Sequence, residues 1–171
     1  GSVRSGLTEP CGRLDSGERM DEEFEAIVNI SAKPIVQREA TAEGFLRLQP
    51  ATLDAIREGL VTKGDVIQSS TVAAIQAVKD TPRIVPHCHP IPLTGCDVDW
   101  NLDEDGLRCL VRVRAEWRTG VEMEALTGVS AGLLCAWDMV KSLEKDDSGQ
   151  YPNAVIEQVR VLEKRKGEPQ D

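Results

Sequence analysis

The sequence predicts an α+β fold in which helices pack on one face of an antiparallel sheet. Three observations carry this reading. Two alternating stretches, Gly95–Leu102 and Leu107–Trp117, flank the turn sequence Asp103-Glu104-Asp105-Gly106, which marks a β-hairpin. Val66–Asp80 keeps a helical spacing of apolar residues, and the run from Ala125 to Met139 is nearly all apolar or small, as in a buried helix. Strand signals then recur on both sides of these segments, at Lys33–Leu48 and Val155–Leu162.

The elements follow in order. Residues 1–25 read as a flexible tail of Gly, Ser, Arg, Asp and Glu without a sustained period. Residues 26–165 form one domain, and 166–171 are expected to fray. Lys33–Leu48 carries Ile35, Val36, Thr41 and Phe45 and reads as a strand, with a bulge expected at Gly44. Pro50–Ile56 opens a short helix, with Pro in its first turn and Gly59 near its end. Lys63-Gly64-Asp65 turns the chain into the next helix, and Asp65 is placed to cap it. Pro82, Pro86, Pro90 and Pro92 fall close together, which disfavours helix and predicts a stiff loop around His87, Cys88 and His89. The hairpin, the long helix and the strand Val155–Leu162 complete the order β, short α, α, β-hairpin, α, β. That is the split βαβ, or ferredoxin-like, pattern.

Composition narrows the function. A chain of 171 residues with 40% hydrophobic and 29% charged residues suits one soluble domain. Its net charge of −9 argues against a nucleic-acid partner, since phosphate backbones select basic surfaces. A small phosphate ligand needs only a local cluster of Lys and Arg, so it stays open. No apolar run reaches the roughly 20 residues of a membrane span, so no membrane association is expected. The absence of a signal-like stretch leads to an expected cytoplasmic location. Five cysteines, without a CxxC pair and odd in number, predict no disulfide framework.

Several side chains stand out. Asp138 and Lys141 are three apart on a helix and therefore share a face. They read either as a surface ion pair or, among Leu133, Leu134, Ala136, Trp137 and Met139, as a half-buried acid–base couple. Glu122 and Glu124 open the same helix. They either offset the helix dipole or accept paired N–H bonds from a ligand such as a guanine-like ring. His87, Cys88 and His89 could ligate zinc, position a ligand with His89 as donor, or be structural. Adjacent residues rarely aim at one metal, and no second clean ligand pair exists, so no metal is expected. Lys63 lies before a helix start, a natural phosphate seat. Glu124 and Asp138 are fourteen residues apart, so they stand ~21 Å apart along the axis at 1.5 Å per residue. One straight helix cannot bring both to one small-molecule site. Either one end is functional or a second subunit completes the site, which predicts a homo-oligomer.

These segments resemble a known family. Ser31-Ala32-Lys33-Pro34, Arg38-Glu39-Ala40, Lys63-Gly64-Asp65-Val66, Pro86 with Cys88-His89-Pro90, Thr119-Gly120-Val121-Glu122-Met123-Glu124-Ala125-Leu126-Thr127, and Asp138-Met139 with Lys141 look like the cyclic pyranopterin monophosphate synthases, the molybdenum cofactor biosynthesis protein C family. The match spans roughly residues 28 to 164. The resemblance implies an enzyme that converts 3',8-cyclo-7,8-dihydro-GTP to cyclic pyranopterin monophosphate, releases pyrophosphate and needs no cofactor. It implies a hexamer built as a trimer of dimers, with sites at dimer interfaces. It casts Asp138 as the catalytic acid–base residue with Lys141 and Lys63 beside it. His87, Cys88, His89, Met123 and Glu124 then contact substrate, joined by Arg38, Glu122 and Lys164. Three features depart from the family pattern: His87 replaces an apolar residue, Ala74 a helix Gly, and Arg165-Lys166-Gly167-Glu168-Pro169 a Gly- and Lys-rich tail. Two rival readings are a non-catalytic, oligomeric purine-nucleotide-binding domain and a metal-dependent hydrolase using His87, Cys88 and His89.

Overall fold

Alternation along the strands sets the layers. In Gly106–Trp117 the residues Leu107, Cys109, Val111, Val113 and Ala115 are all buried, while Arg108, Arg112 and Arg114 point the other way. A strand of this kind needs a cover on one face only. A computed structural model describes residues 25–169 and supplies that cover. The order is β1 (Val36–Arg47), α1 (Pro50–Glu58), α2 (Val66–Lys79), α3 (Thr81–Ile84), β2 (Leu93–Leu102), β3 (Gly106–Trp117), α4 (Glu122–Glu144) and β4 (Val155–Lys166). The sheet runs β2-β3-β1-β4 with every neighbour antiparallel. Helices α2 and α4 pack together and against one face, and Leu46, Val111, Val129, Leu133 and Val140 belong to the core between the layers. This is the predicted α+β, ferredoxin-like arrangement. None of its helices is long and apolar enough to cross a membrane.

Local signals explain most boundaries. Asp65 caps α2 by accepting from the Gln68 N–H at 2.9 Å. Gly59 ends α1 with φ 68°, the left-handed conformation that favours glycine. The Asp103 N–H donates to the Gly106 carbonyl at 2.9 Å and closes the hairpin.

Four expectations need correction. The first strand starts at Val36, because Lys33 donates its N–H to Ile30 in a turn at 3.0 Å. The proline-rich segment contains a helical turn, α3, with Pro82 in the first turn, where its missing N–H costs nothing. The bulge lies opposite Gly44 rather than in its strand. Glu43 pairs with Arg160 and Phe45 with Glu157, so the extra residue belongs to β4, where Gln158 takes φ 56°. Gly44 itself answers to packing: a Cβ there would lie 2.6 Å from Val129 Cγ1 and 2.7 Å from Leu133 Cδ1. Finally, β4 continues to Lys166, which pairs with Arg38, so the chain is still in the sheet where fraying was expected. The tail reading of residues 1–24 lies outside the described residues.

Candidate functional site

Helix α4 organises the candidate groups, and its burial pattern differs from the expected one. Glu124, Gly128, Gly132, Ala136, Val140 and Glu144 recur every four residues, and each faces the protein. Asp138 lies two residues from Ala136 and from Val140, roughly 200° round the helix at about 100° per residue. It therefore points outward. The side chains of Asp138, Lys141 and Lys63 are 56%, 45% and 47% exposed. The half-buried Asp–Lys couple is thus, within one protomer, an exposed cluster. Of the apolar neighbours that argued for burial, Leu133, Ala136 and Met139 face the protein, while Leu134, four residues before Asp138, shares its outward face and is itself exposed.

The cluster is nonetheless tightly built. Lys141 Nζ donates to Asp138 Oδ1 at 2.7 Å. Lys63 Nζ, brought in by the turn after α1, donates to Asp138 Oδ2 at 2.7 Å and to the Asp138 carbonyl at 3.0 Å. The hydrogen bonds from Lys141 and then Lys63 hold the Asp138 carboxyl down to about 2. In return, Asp138 raises the pKa of Lys141. At neutral pH this is one carboxylate held between two ammonium groups, ready to exchange partners with an incoming polyanion.

The other end of α4 borders a half-open cleft. A cavity of about 300 Å³ lies between its first turn, the His87–His89 loop and the segment that precedes β1. Glu124 is 3% exposed, and burial, aided by the Glu122 charge and opposed by its own backbone N–H, pushes its pKa up. Burial alone would raise Glu122 too. The Lys164 Nζ at 2.8 Å, the backbone N–H and the Lys164 and Arg38 charges outweigh it, so its pKa falls. Lys164 bonds only Oε1; Glu122 Oε2 is buried and has no hydrogen-bond partner among the described residues. Gly120 leaves room for that carboxylate, since a Cβ would lie 2.1 Å from Oε2. Burial, then the Glu124 and Glu122 charges, raise the Cys88 thiol, which is therefore protonated rather than a thiolate nucleophile. Met123 also lines this cavity.

The two histidines already have partners. His87 Nδ1 meets the Ala26 carbonyl, and His89 Nε2 the Val28 carbonyl at 2.7 Å. A carbonyl only accepts, so both of these nitrogens carry hydrogen. His89 has thus committed its neutral-state donor to the main chain, and a ligand would meet it as a donor only through a protonated Nδ1. No group of three or more His, Cys, Asp and Glu among the described residues is placed to hold a metal ion.

The structure brings His87, Cys88, His89, Glu122, Met123 and Glu124 together at one end of α4, with Lys164 on Glu122. It gathers Asp138, Lys141 and Lys63 on the exposed flank towards the other end. Arg38 joins neither group directly. It is buried, donates to the Trp117 and Arg118 carbonyls at 3.4 and 3.2 Å, and lines a separate cavity at the end of the sheet. Lys33, in the Ser31-Ala32-Lys33-Pro34 segment, also lines the half-open cavity. One group was missed. Glu144 is fully buried and caps α1, accepting from the Gln49 N–H at 3.1 Å and from Thr52 Oγ1. Its signals were a helix start at Gln49 without a capping side chain and the four-residue spacing along α4.

Fold and site together define a class: an α+β, ferredoxin-like protein with a half-open acidic pocket and a separate carboxylate–ammonium cluster on one helix. The chain belongs to the MoaC family, whose model matches residues 27–167. It is 57% identical over 142 residues to a probable cyclic pyranopterin monophosphate synthase of Methanoregula boonei, a match covering 83% of this chain and 92% of that protein. A protein of the same description from Aeropyrum pernix is 55% identical over 141 residues, covering 82% and 97%. A relative from Methanothermobacter thermautotrophicus, described as a probable cyclic pyranopterin monophosphate synthase accessory protein, is 52% identical over 146 residues, covering 85% and 92%.

Proposed function

We propose that this protein is a cyclic pyranopterin monophosphate synthase of molybdenum cofactor biosynthesis, a pyrophosphate-releasing lyase acting on 3',8-cyclo-7,8-dihydro-GTP. The observation that carries the reading is the joint presence, in a MoaC family chain, of the acidic pocket and the Lys63–Asp138–Lys141 cluster. Glu122 Oε2 lacks a donor and Glu124 lies beside it, which suits a ring bearing an N–H and an amino group. Two ammonium groups on one exposed carboxylate suit a triphosphate on an otherwise acidic protein.

The reading gives Asp138 a sequence of states. In the free protein the two lysines keep it ionised. Substrate phosphates draw Lys63 and Lys141 away, the Asp138 pKa rises, and the carboxylate becomes able to take up and return a proton during ring opening and rearrangement. A sugar hydroxyl then attacks the α-phosphorus. Its proton leaves to a base, the new P–O bond closes the cyclic phosphate, and the α–β bridge bond breaks to release pyrophosphate. The two groups lie at different positions along one helix, so one protomer's pocket is completed by a partner's cluster. A hexamer made as a trimer of dimers, working in the cytoplasm, follows from this reading.

The test is pyrophosphate release from the cyclised dihydro-GTP. Asp138→Asn or Lys141→Ala should lower turnover at least ~10³-fold, with folding and assembly intact. Near-normal turnover in either variant refutes the assignment. The rival, a non-catalytic purine-nucleotide-binding oligomer, gains support from the accessory-protein description of one relative. It predicts nucleotide binding without pyrophosphate release and tolerance of Asp138→Asn.

A further inference from the structure

Residues 26–33 run outside the sheet, largely exposed, yet Val28, Ile30 and Lys33 line one side of the half-open cavity. Such a segment has no ladder to hold it. Within itself it makes only short-range bonds, Lys33 N–H to Ile30 at 3.0 Å and Ser31 N–H to Asn29 Oδ1 at 3.0 Å. Its Asn29 N–H donates to Glu25 Oε1 at 3.3 Å, and its hydrogen bonds to elements distant in the chain run from side-chain donors to its main-chain carbonyls. His87 and His89 bond the carbonyls of Ala26 and Val28. Arg118 Nη1 bonds the Ser31 carbonyl at 2.9 Å and the Lys33 carbonyl as well.

The geometry is matched on both sides. The chain bends at Ala26 and Ile27 and turns at Ser31 and Ala32, which leaves main-chain carbonyls free of any ladder. His87 and His89, two apart between Pro86 and Pro90, meet the carbonyls of Ala26 and Val28, also two apart. Arg118 grips the other end of the segment. It precedes Thr119 and Gly120, which line the same cavity and lead into α4. The Arg118 carbonyl is itself held by Arg38 Nη2 at 3.2 Å. Arg38 thus fixes Arg118, and Arg118 fixes the wall.

We infer that Arg118 is a positioning residue for the pocket: with the imidazoles of His87 and His89 it clamps residues 26–33 as a wall that places Val28, Ile30 and Lys33 opposite the first turn of α4. The inference rests on the proposed function only for the identity of the ligand. The clamp gives the His87 ring a task at the wall. It also gives Arg38 a role at one remove from the ligand.

The experiment compares the full-length wild type with Arg118→Ala and Arg118→Lys. Amide exchange of residues 27–33 should accelerate on the order of tenfold or more in Arg118→Ala, with β3 and α4 unchanged. Alkylation of Cys88, which lies behind the wall, should accelerate about fivefold, and KM for the cyclised dihydro-GTP should rise about tenfold with kcat within about threefold. Arg118→Lys keeps the charge and loses the planar fork, so it should fall between the two. Wild-type exchange in Arg118→Ala overturns the clamp. Faster exchange with unchanged Cys88 labelling overturns the wall, and loss of protection throughout β3 and α4 makes Arg118 a general stability residue. A wild type without turnover refutes the proposed function, while exchange and labelling still decide the clamp.

Discussion

The two ends of α4 treat carboxylates in opposite ways. Near the N-terminus, Glu124 is buried behind the pocket, and desolvation pushes its pKa up. Near the C-terminus, Asp138 is exposed, and two lysines at 2.7 Å draw its pKa down to about 2. Charge partners prevail where water remains, and desolvation prevails where it does not. In the proposed function, one end recognises a neutral, hydrogen-bonding ring and the other holds and releases charge.

The sharpest way to break this comparison is to separate the two ends genetically. Asp138→Asn and Glu124→Gln should each inactivate the protein, yet mixed after co-refolding they should recover about a quarter of wild-type turnover. That fraction follows from heterodimers with one intact site of two. No recovery would mean that both ends act within one protomer, or that only one of them acts.

Stability separates the inner and outer faces of α4 next. Glu144→Ala removes the buried cap of α1 and should cost about 2 kcal/mol, lowering Tm by roughly 6 °C. Asp138→Asn should lower Tm by less, because its ion pairs are solvated and screened. Equal losses would show that the exposed cluster is structural.

The smallest effects are in pH dependence. A depressed pKa contributes stability that is present above the unfolded value and lost as pH falls through the folded one. Asp138 should therefore titrate near 2 in a carboxyl NMR experiment, and Lys141→Ala should move it up towards the ordinary 3.8. Glu124 has the opposite sign: its raised pKa favours folding at low pH and loses that benefit as pH rises. Glu124→Gln should accordingly raise Tm at pH 7 by roughly 2 °C and bring no gain in acid. A destabilised Glu124→Gln would show that the carboxylate, not its burial, matters to the fold.

Much of the fold was legible because its signals are local. Alternation in β3, the Asp103–Gly106 turn, the Asp65 cap and Gly59 each act within a few residues. What was not legible depends on partners distant in the chain. The β4 bulges arise from registry with β1, and Gly44 matters because α4 crosses it. The site was legible as residue types in a family pattern. The placement of Asp138 depends on position round the helix rather than on neighbours along the sequence: with Gly128, Gly132, Ala136 and Val140 buried, it falls on the outer face.

By itself, the sequence determined the element order, the apolar layer and the identity of the groups able to do chemistry, since these follow from local periodicity and side-chain type. Tertiary structure alone decided which carboxylate lost its water and which kept it. It also made a wall of a segment without sheet partners, through carbonyls that His87, His89 and Arg118 reach only once β3, α4 and the proline-rich loop have met. Protonation and shape at the site depend on desolvation and on distances between groups far apart in the chain, and only the folded chain sets these.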